Sequence, residues 1–311
     1  MKKLLVVYNT CGISGRVNVN YYINALQSIF NQDLEDVTVA LSTCCNDNNH
    51  INQLLTTFPN LVCNANLNKV PISVTFNDTV DQCVEHLGEF EGYVFVDSGI
   101  IMQKSDDLRQ LYNLFKENED TISARTDRDT GFETWFNTTD FGGNLFEHNH
   151  LSVDVGKAVN LHVQIFSNSW RQMYNRILPD IFAGQCMESV FSFMAAALHK
   201  KWIVNKDVVV VHNTGMDGPS SGFVPLYWEQ AGNKRWEHPF VVPSIVDIVN
   251  KGIKYGMGYE ELQEIVMHNP DLYDENGYSK DDRLSGYIRD NLFLSQQQFN
   301  YSQMNSQFIL P

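Results

Sequence analysis

At 311 residues the chain is long enough to bury a sizeable core, in one large domain or two small ones. Hydrophobic residues make up 43% of it and charged residues 19%, which excludes a disordered chain. The formal net charge of −15 argues against broad contact with nucleic-acid phosphates or anionic lipid, but leaves room for an anionic ligand that arrives with a divalent metal.

The apolar run 4–8 reads as a first strand ending at Asn9. It is too brief for a signal-peptide core, and nothing later has the length of a membrane span. A cytoplasmic protein without a transmembrane segment is therefore expected. Glycines 12 and 15 mark a turn, followed by an amphipathic helix over 21–30. Residues 37–41 form a second strand that opens into a polar loop over 42–49. A helix over 50–58 and a short strand over 61–63 come next, then a helix over 76–87 closed by Gly88. The apolar run 92–96 is a buried strand with an abrupt tip, Asp97-Ser98-Gly99, and a helix over 105–115 follows. Alternating strands and helices imply a mixed, mostly parallel sheet flanked by helices, whose ligands gather beyond the carboxyl ends of the strands. The first glycines do not spell G-x-G-x-x-G, and no phosphate-loop pattern occurs. A dinucleotide fold and a P-loop NTPase are both disfavoured.

Beyond residue 120 the pattern loosens. Residues 121–124 read as an edge strand, 160–166 as an alternating strand, and Ser167 or Asn168 as the cap of a helix containing Trp170 and Arg171. A helix over 188–199 and strands over 202–204 and 208–211 follow, the last delivering His212 and Asn213 to a glycine-rich loop. From about 240 the helical segments are shorter and more polar, and 296–311 reads as a loosely attached tail. Two regions are expected: 1–240 as the main α/β domain with its cleft, and 241–311 as a small helical extension with a polar tail. The six cysteines, at 11, 44, 45, 63, 83 and 186, show no C-x-x-C or zinc-ribbon spacing and are expected as free thiols.

The ordered set of Tyr8-Asn9, the helix end Gln27-Ser28-Ile29-Phe30-Asn31-Gln32, Asn77, Gly92-Tyr93-Val94-Phe95-Val96-Asp97-Ser98-Gly99, Gly184-Gln185-Cys186-Met187-Glu188-Ser189 and Val208-Val209-Val210-Val211-His212-Asn213 resembles the family 2-like glycosyltransferases of the GT-A fold. The likeness covers residues 1 to about 215. It implies a nucleotide-diphospho-sugar transferase that moves a sugar from a UDP- or GDP-linked donor to a carbohydrate or related acceptor, with inversion and with help from Mn²⁺ or Mg²⁺. It also implies a set of roles. Asp97 and His212 would hold the metal, Glu188 or Asp217 would be the general base, and Tyr8, Asn9, Asp47, Asn77, Asp97 and Ser98 would meet the donor. Three positions depart from the family pattern: Gly99 replaces the second acid of the D-x-D loop, Ser189 the second acid of the later acidic pair, and Ser42 an acid after the second strand. A nucleotidyltransferase, or a non-catalytic nucleotide- or sugar-binding relative, is the alternative. No nucleic-acid partner is expected, and the oligomeric state is left open, a homodimer included.

Overall fold

The computed structural model describes residues 2–10, 18–44, 47–68, 72–118, 121–126, 162–174, 176–178, 202–213 and 304–311. The expected helices over 188–199 and beyond 240 lie outside them.

The described strands are β1 (Lys2–Thr10), β2 (Val37–Cys44), β3 (Val62–Asn66), β4 (Phe90–Val96), β5 (Ile100–Met102), β6 (Thr121–Thr126), β7 (Val163–Ser167), β8 (Trp202–His212) and β9 (Ser306–Ile309). Among the described residues they form one sheet in the order β5-β8-β6-β7-β4-β1-β2-β3-β9. The centre, β4-β1-β2-β3, is parallel throughout. Parallel neighbours need crossover helices, and the chain supplies them: α1 (Val19–Phe30), α2 (Asn48–Thr57) and α3 (Ile72–Leu87). On the other side β7 runs antiparallel to both β4 and β6, while β8 is parallel to β6. Two further helices, α4 (Asp107–Asn118) and α5 (Asn168–Tyr174), complete the described elements.

Strand periodicity assigns the two faces. Leu4, Val6, Tyr8, Leu41, Val94 and Val96 form one core with Tyr22, Leu26 and Ile29 of α1, Ile51 and Leu54 of α2, and Leu108 and Leu111 of α4. The opposite face is covered by α3, whose Phe76 meets Phe95 of β4 and Phe166 of β7 at 5.3 and 6.4 Å between ring centres. The end of α3 is set by Gly88 at φ 85°, where a left-handed residue stops a helix without a Cβ penalty.

Several elements differ from the sequence expectation, each for a reason of pairing. β2 continues through Ser42 to Cys44 instead of opening into a loop at 42, because β1 pairs with it as far as Thr43 and β3 as far as Cys44. The segment 121–126 is an interior strand and not an edge, held between β7 and β8. The two strands expected over 202–211 are one strand, accommodated by an irregularity between Ala124 and Arg125 of its neighbour. At the far end, 306–309 is not loose. It adds β9 antiparallel to β3, and Ser306 Oγ donates to Asp78 Oδ2 at 3.0 Å.

Candidate active site at the carboxyl end of the central strands

β1 and β4 are parallel neighbours at the middle of the sheet, so their carboxyl ends open at one edge, where Tyr8, Asn9, Asp97, Ser98 and Gly99 come together. Asp97 follows β4 directly. Its N–H donates to the carbonyl of His162 at 2.9 Å, and its Oδ1 accepts the Ser98 N–H at 2.7 Å. The chain turns at once: Ile100 N–H reaches back to the Asp97 carbonyl at 3.4 Å, and Gly99 takes φ 80° at the third position, as a type II turn requires.

The side chain of Asp97 is 32% exposed, and its Oδ2 lies 3.5 Å from Nδ1 of His162, which is 1% exposed. This carboxylate is open to solvent on one side, has one oxygen held by the Ser98 N–H, and has the other facing a buried imidazole. It can accept a proton donor or take part in a cation site. His162 was invisible as a site residue in the sequence, where it reads as one position of an alternating strand. Only the antiparallel docking of β7 on β4 places it beside Asp97.

The two tyrosines near this turn are neutral. Burial pushes the Tyr8 phenol well above its ordinary value, and its oxygen accepts the Gly99 N–H at 3.2 Å. Burial likewise pushes Tyr21 up to about 12, against a hydrogen bond from Ser98 that works the other way. Asn213, at the end of β8, donates its N–H to the Gly99 carbonyl at 2.9 Å. The main chain of His212 pairs with Ile100, so the expected second metal ligand sits on the strand next to the Asp97 turn.

Asn9 lies on the α3 face. Its Nδ2 donates to the carbonyls of Val7 and Val96 at 2.8 and 3.2 Å, tying β1 to β4. In register beside it come Ser42 on β2 and Asn64 on β3. All three are at most 2% exposed, and Asn9 Oδ1, Ser42 Oγ and Asn64 Oδ1 have no hydrogen-bond partner among the described residues. A buried polar atom left unpaired costs about 1–3 kcal/mol, so this row of oxygens at the strand ends fits bound water or the polar edge of a ligand.

Other expected site residues have local tasks. Asp47 caps α2, its Oδ1 accepting the N–H groups of Asn49 and His50 at 2.8 and 3.3 Å. Asn77, expected to face the donor, is 2% exposed, and its amide clamps a neighbouring segment. Its Nδ2 donates to the Leu178 carbonyl at 2.6 Å, and its Oδ1 accepts from the Ile177 and Leu178 N–H groups. Trp170 is buried, with Nε1 donating to the Ile177 carbonyl, and Arg171 pairs with Asp81 and Glu89. Both follow the carboxyl end of β7, where Ser167 pairs with Gly92 at the start of β4, so they lie at the edge opposite Asp97. Glu188 and Asp217 lie outside the described residues.

A hard divalent ion that comes in on a diphosphate needs only one or two protein carboxylates, since phosphate and water fill the remaining positions. Asp97 fits that requirement. No cluster of three His, Cys, Asp or Glu side chains of ligand geometry occurs among the described residues.

No family model and no curated protein matches the sequence. Solved structures do. The mannosyltransferase PcManGT from Pyrobaculum calidifontis, in complex with GDP-Man and Mn²⁺, superposes with a TM-score of 0.54 at 11% identity, over 92% of this chain and 74% of that one. S. aureus TarS 1-349 in complex with UDP-GlcNAc gives 0.52 at 15% identity, over 85% of this chain and 70% of that one. The UDP complex of the same protein gives 0.52 at 14%. The architecture is therefore a GT-A-like fold: a mixed, mostly parallel sheet flanked by helices. No helix among the described residues is long and apolar enough to cross a membrane.

Proposed function

We propose that this chain is a hexosyltransferase-type glycosyltransferase, moving a sugar from a UDP- or GDP-linked donor to a carbohydrate or related acceptor with inversion. The observation that carries the reading is Asp97: a partly exposed carboxylate at the tip of the strand that pairs with β1, in a GT-A sheet. The unpaired oxygens of Asn9, Ser42 and Asn64 beside it support a polar ligand at the same edge. PcManGT, seen with GDP-Man and Mn²⁺, and TarS, seen with UDP-GlcNAc, supply the donor chemistry by analogy.

In this reading Asp97 and His212 would hold Mn²⁺ or Mg²⁺. The metal, when bound, offsets the charge that develops on the leaving diphosphate. Asp97 is oriented by His162 and by the Ser98 N–H, so its carboxylate is in place before the donor arrives. Ser98, Tyr8 and Asn9 shape the donor side of the cleft, with Asp47 and Asn77 fixing the elements around it. Glu188 or Asp217 takes the proton of the acceptor hydroxyl as the sugar carbon is attacked. Buried thiols at Cys63 and Cys83, in no disulfide, support a reducing, cytoplasmic setting.

Gly99 in place of a second acid favours one other reading, a relative that binds the donor without transferring it. Incubation with a panel of UDP- and GDP-sugars, Mn²⁺ and simple glycan acceptors separates the two. Release of UDP or GDP that depends on acceptor is the expected result. Saturable donor binding without release would identify the binding relative, and the absence of both would contradict a nucleotide-sugar site.

A further inference from the structure

The position of the missing second acid is not empty. With Gly99 at φ 80°, a Cβ built on residue 99 would overlap the Tyr21 hydroxyl, and would stand 2.8 Å from Cζ of that ring and 2.9 Å from the main-chain oxygen of Asn213. Tyr21 belongs to α1, on the neighbouring layer, yet its hydroxyl donates to the Asn213 carbonyl at 3.2 Å and receives a hydrogen bond from Ser98. One phenol therefore touches the Asp97-Ser98-Gly99 turn on one side and the end of β8, one residue past His212, on the other. Tyr8 holds the same turn from below through the Gly99 N–H, and Asn213 holds it through the Gly99 carbonyl. All three bonds converge on the segment that presents Asp97.

We propose that Tyr21 is a positioning residue of this site: its ring excludes a second loop acid, and its hydroxyl locks the Asp97 turn to the end of β8, so that a single loop carboxylate meets the donor diphosphate and its metal. The inference rests on the nucleotide-sugar reading above. Glycine at 99 then follows from two local demands, the left-handed turn and the space taken by Tyr21. A neutral phenol is a sound replacement for packing, because it satisfies the main-chain oxygen of Asn213 without adding a second negative charge beside Asp97.

Two measurements test the two halves. In calorimetric titrations of GDP and UDP with Mn²⁺ and with EDTA, Tyr21→Phe keeps the ring and loses the hydroxyl. It is expected to weaken the Mn²⁺-dependent affinity by about tenfold while leaving the metal-free affinity within about twofold. A residue that only packs would move neither, and an unchanged Mn²⁺-dependent affinity would overturn the positioning role. The steric half is read from melting temperatures in a double-mutant cycle. Gly99→Asp should lower the melting temperature sharply, and Gly99→Asp combined with Tyr21→Ala should melt above the value that the two single changes predict by addition. Strict additivity would overturn the exclusion. If the native protein binds neither nucleotide, the nucleotide-sugar reading falls and takes the ligand half with it. The melting cycle still decides the steric half on its own.

Discussion

The two sides of the sheet are built on different rules, and the site lies where they meet. From β4 to β3 every strand is parallel, so all carboxyl ends share one edge, and the polar residues at those ends form a row by construction. From β7 to β5 directions are mixed, and the same edge receives the start of one strand and the end of another: His162 before β7, and His212 and Asn213 at the end of β8. The parallel side supplies a floor of short polar side chains. The parallel side also supplies the carboxylate, at the tip of β4, and the mixed side backs it with imidazole and main-chain hydrogen bonds. A parallel sheet alone would give Asp97 no His162, and an antiparallel sheet alone would scatter Asn9, Ser42 and Asn64 over both edges.

The seam between the two sides gives the largest expected effect. Phe76 of α3 bridges Phe95 on β4 and Phe166 on β7 and is fully buried. Phe76→Ala should cost roughly 3–5 kcal/mol in urea denaturation, by the cavity left behind. Next come the two left-handed glycines, which differ in surroundings. Gly88 has open space around a built Cβ, whereas Gly99 is walled in by Tyr21 and Asn213. Gly88→Ala should lose about 1–2 kcal/mol from backbone strain alone, and Gly99→Ala clearly more, because strain and overlap add. Equal losses would show that the Gly99 junction is looser than described. Asn77→Ala removes the side-chain partners of the Ile177 and Leu178 main chain and should cost about 1–3 kcal/mol. A variant as stable as the native chain would release Asn77 from that clamp and return it to the donor site.

The smallest effect near neutrality is alkaline. Burial raises the thiols of Cys63 and Cys83 from 9.0 to about 12, and the phenol of Tyr21 from 10.0 to about 12. The unfolded chain loses these protons from about pH 9 upward while the folded chain keeps them, so the unfolded state binds fewer protons across the window. Stability should therefore be unchanged by these groups below pH 9 and fall progressively from pH 9 to 12. Melting curves over that range check the sign.

The parallel half was legible in the sequence because its signals are local. Alternating strands and helices, the stop at Gly88 and the acid at the tip of β4 can each be read within a dozen residues. What was missed depends on partners far along the chain. β5 is three residues long and exists only by pairing with β8, more than a hundred positions away. The β9 strand hides in a Gln/Asn/Ser-rich tail, where Phe308 and Ile309 are the two apolar residues of a four-residue strand. Asn77 was expected beside the donor, and its hold on the main chain of 177 and 178, far along the chain, was not legible. Tyr21 read as one apolar position on α1, and its place against Gly99 needed the whole layer packing to appear.

Calorimetric titration of UDP and GDP into the native protein and into Asp97→Asn, each with Mn²⁺ and with EDTA, bears most directly on the central claim. The asparagine keeps an oxygen for the Ser98 N–H, so the turn should persist and the melting temperature should match the native one. The account predicts binding of one of the two nucleotides that needs Mn²⁺ and is lost in Asp97→Asn. Binding that survives the substitution with its metal dependence intact would contradict the role of Asp97, and no binding of either nucleotide would contradict the site itself.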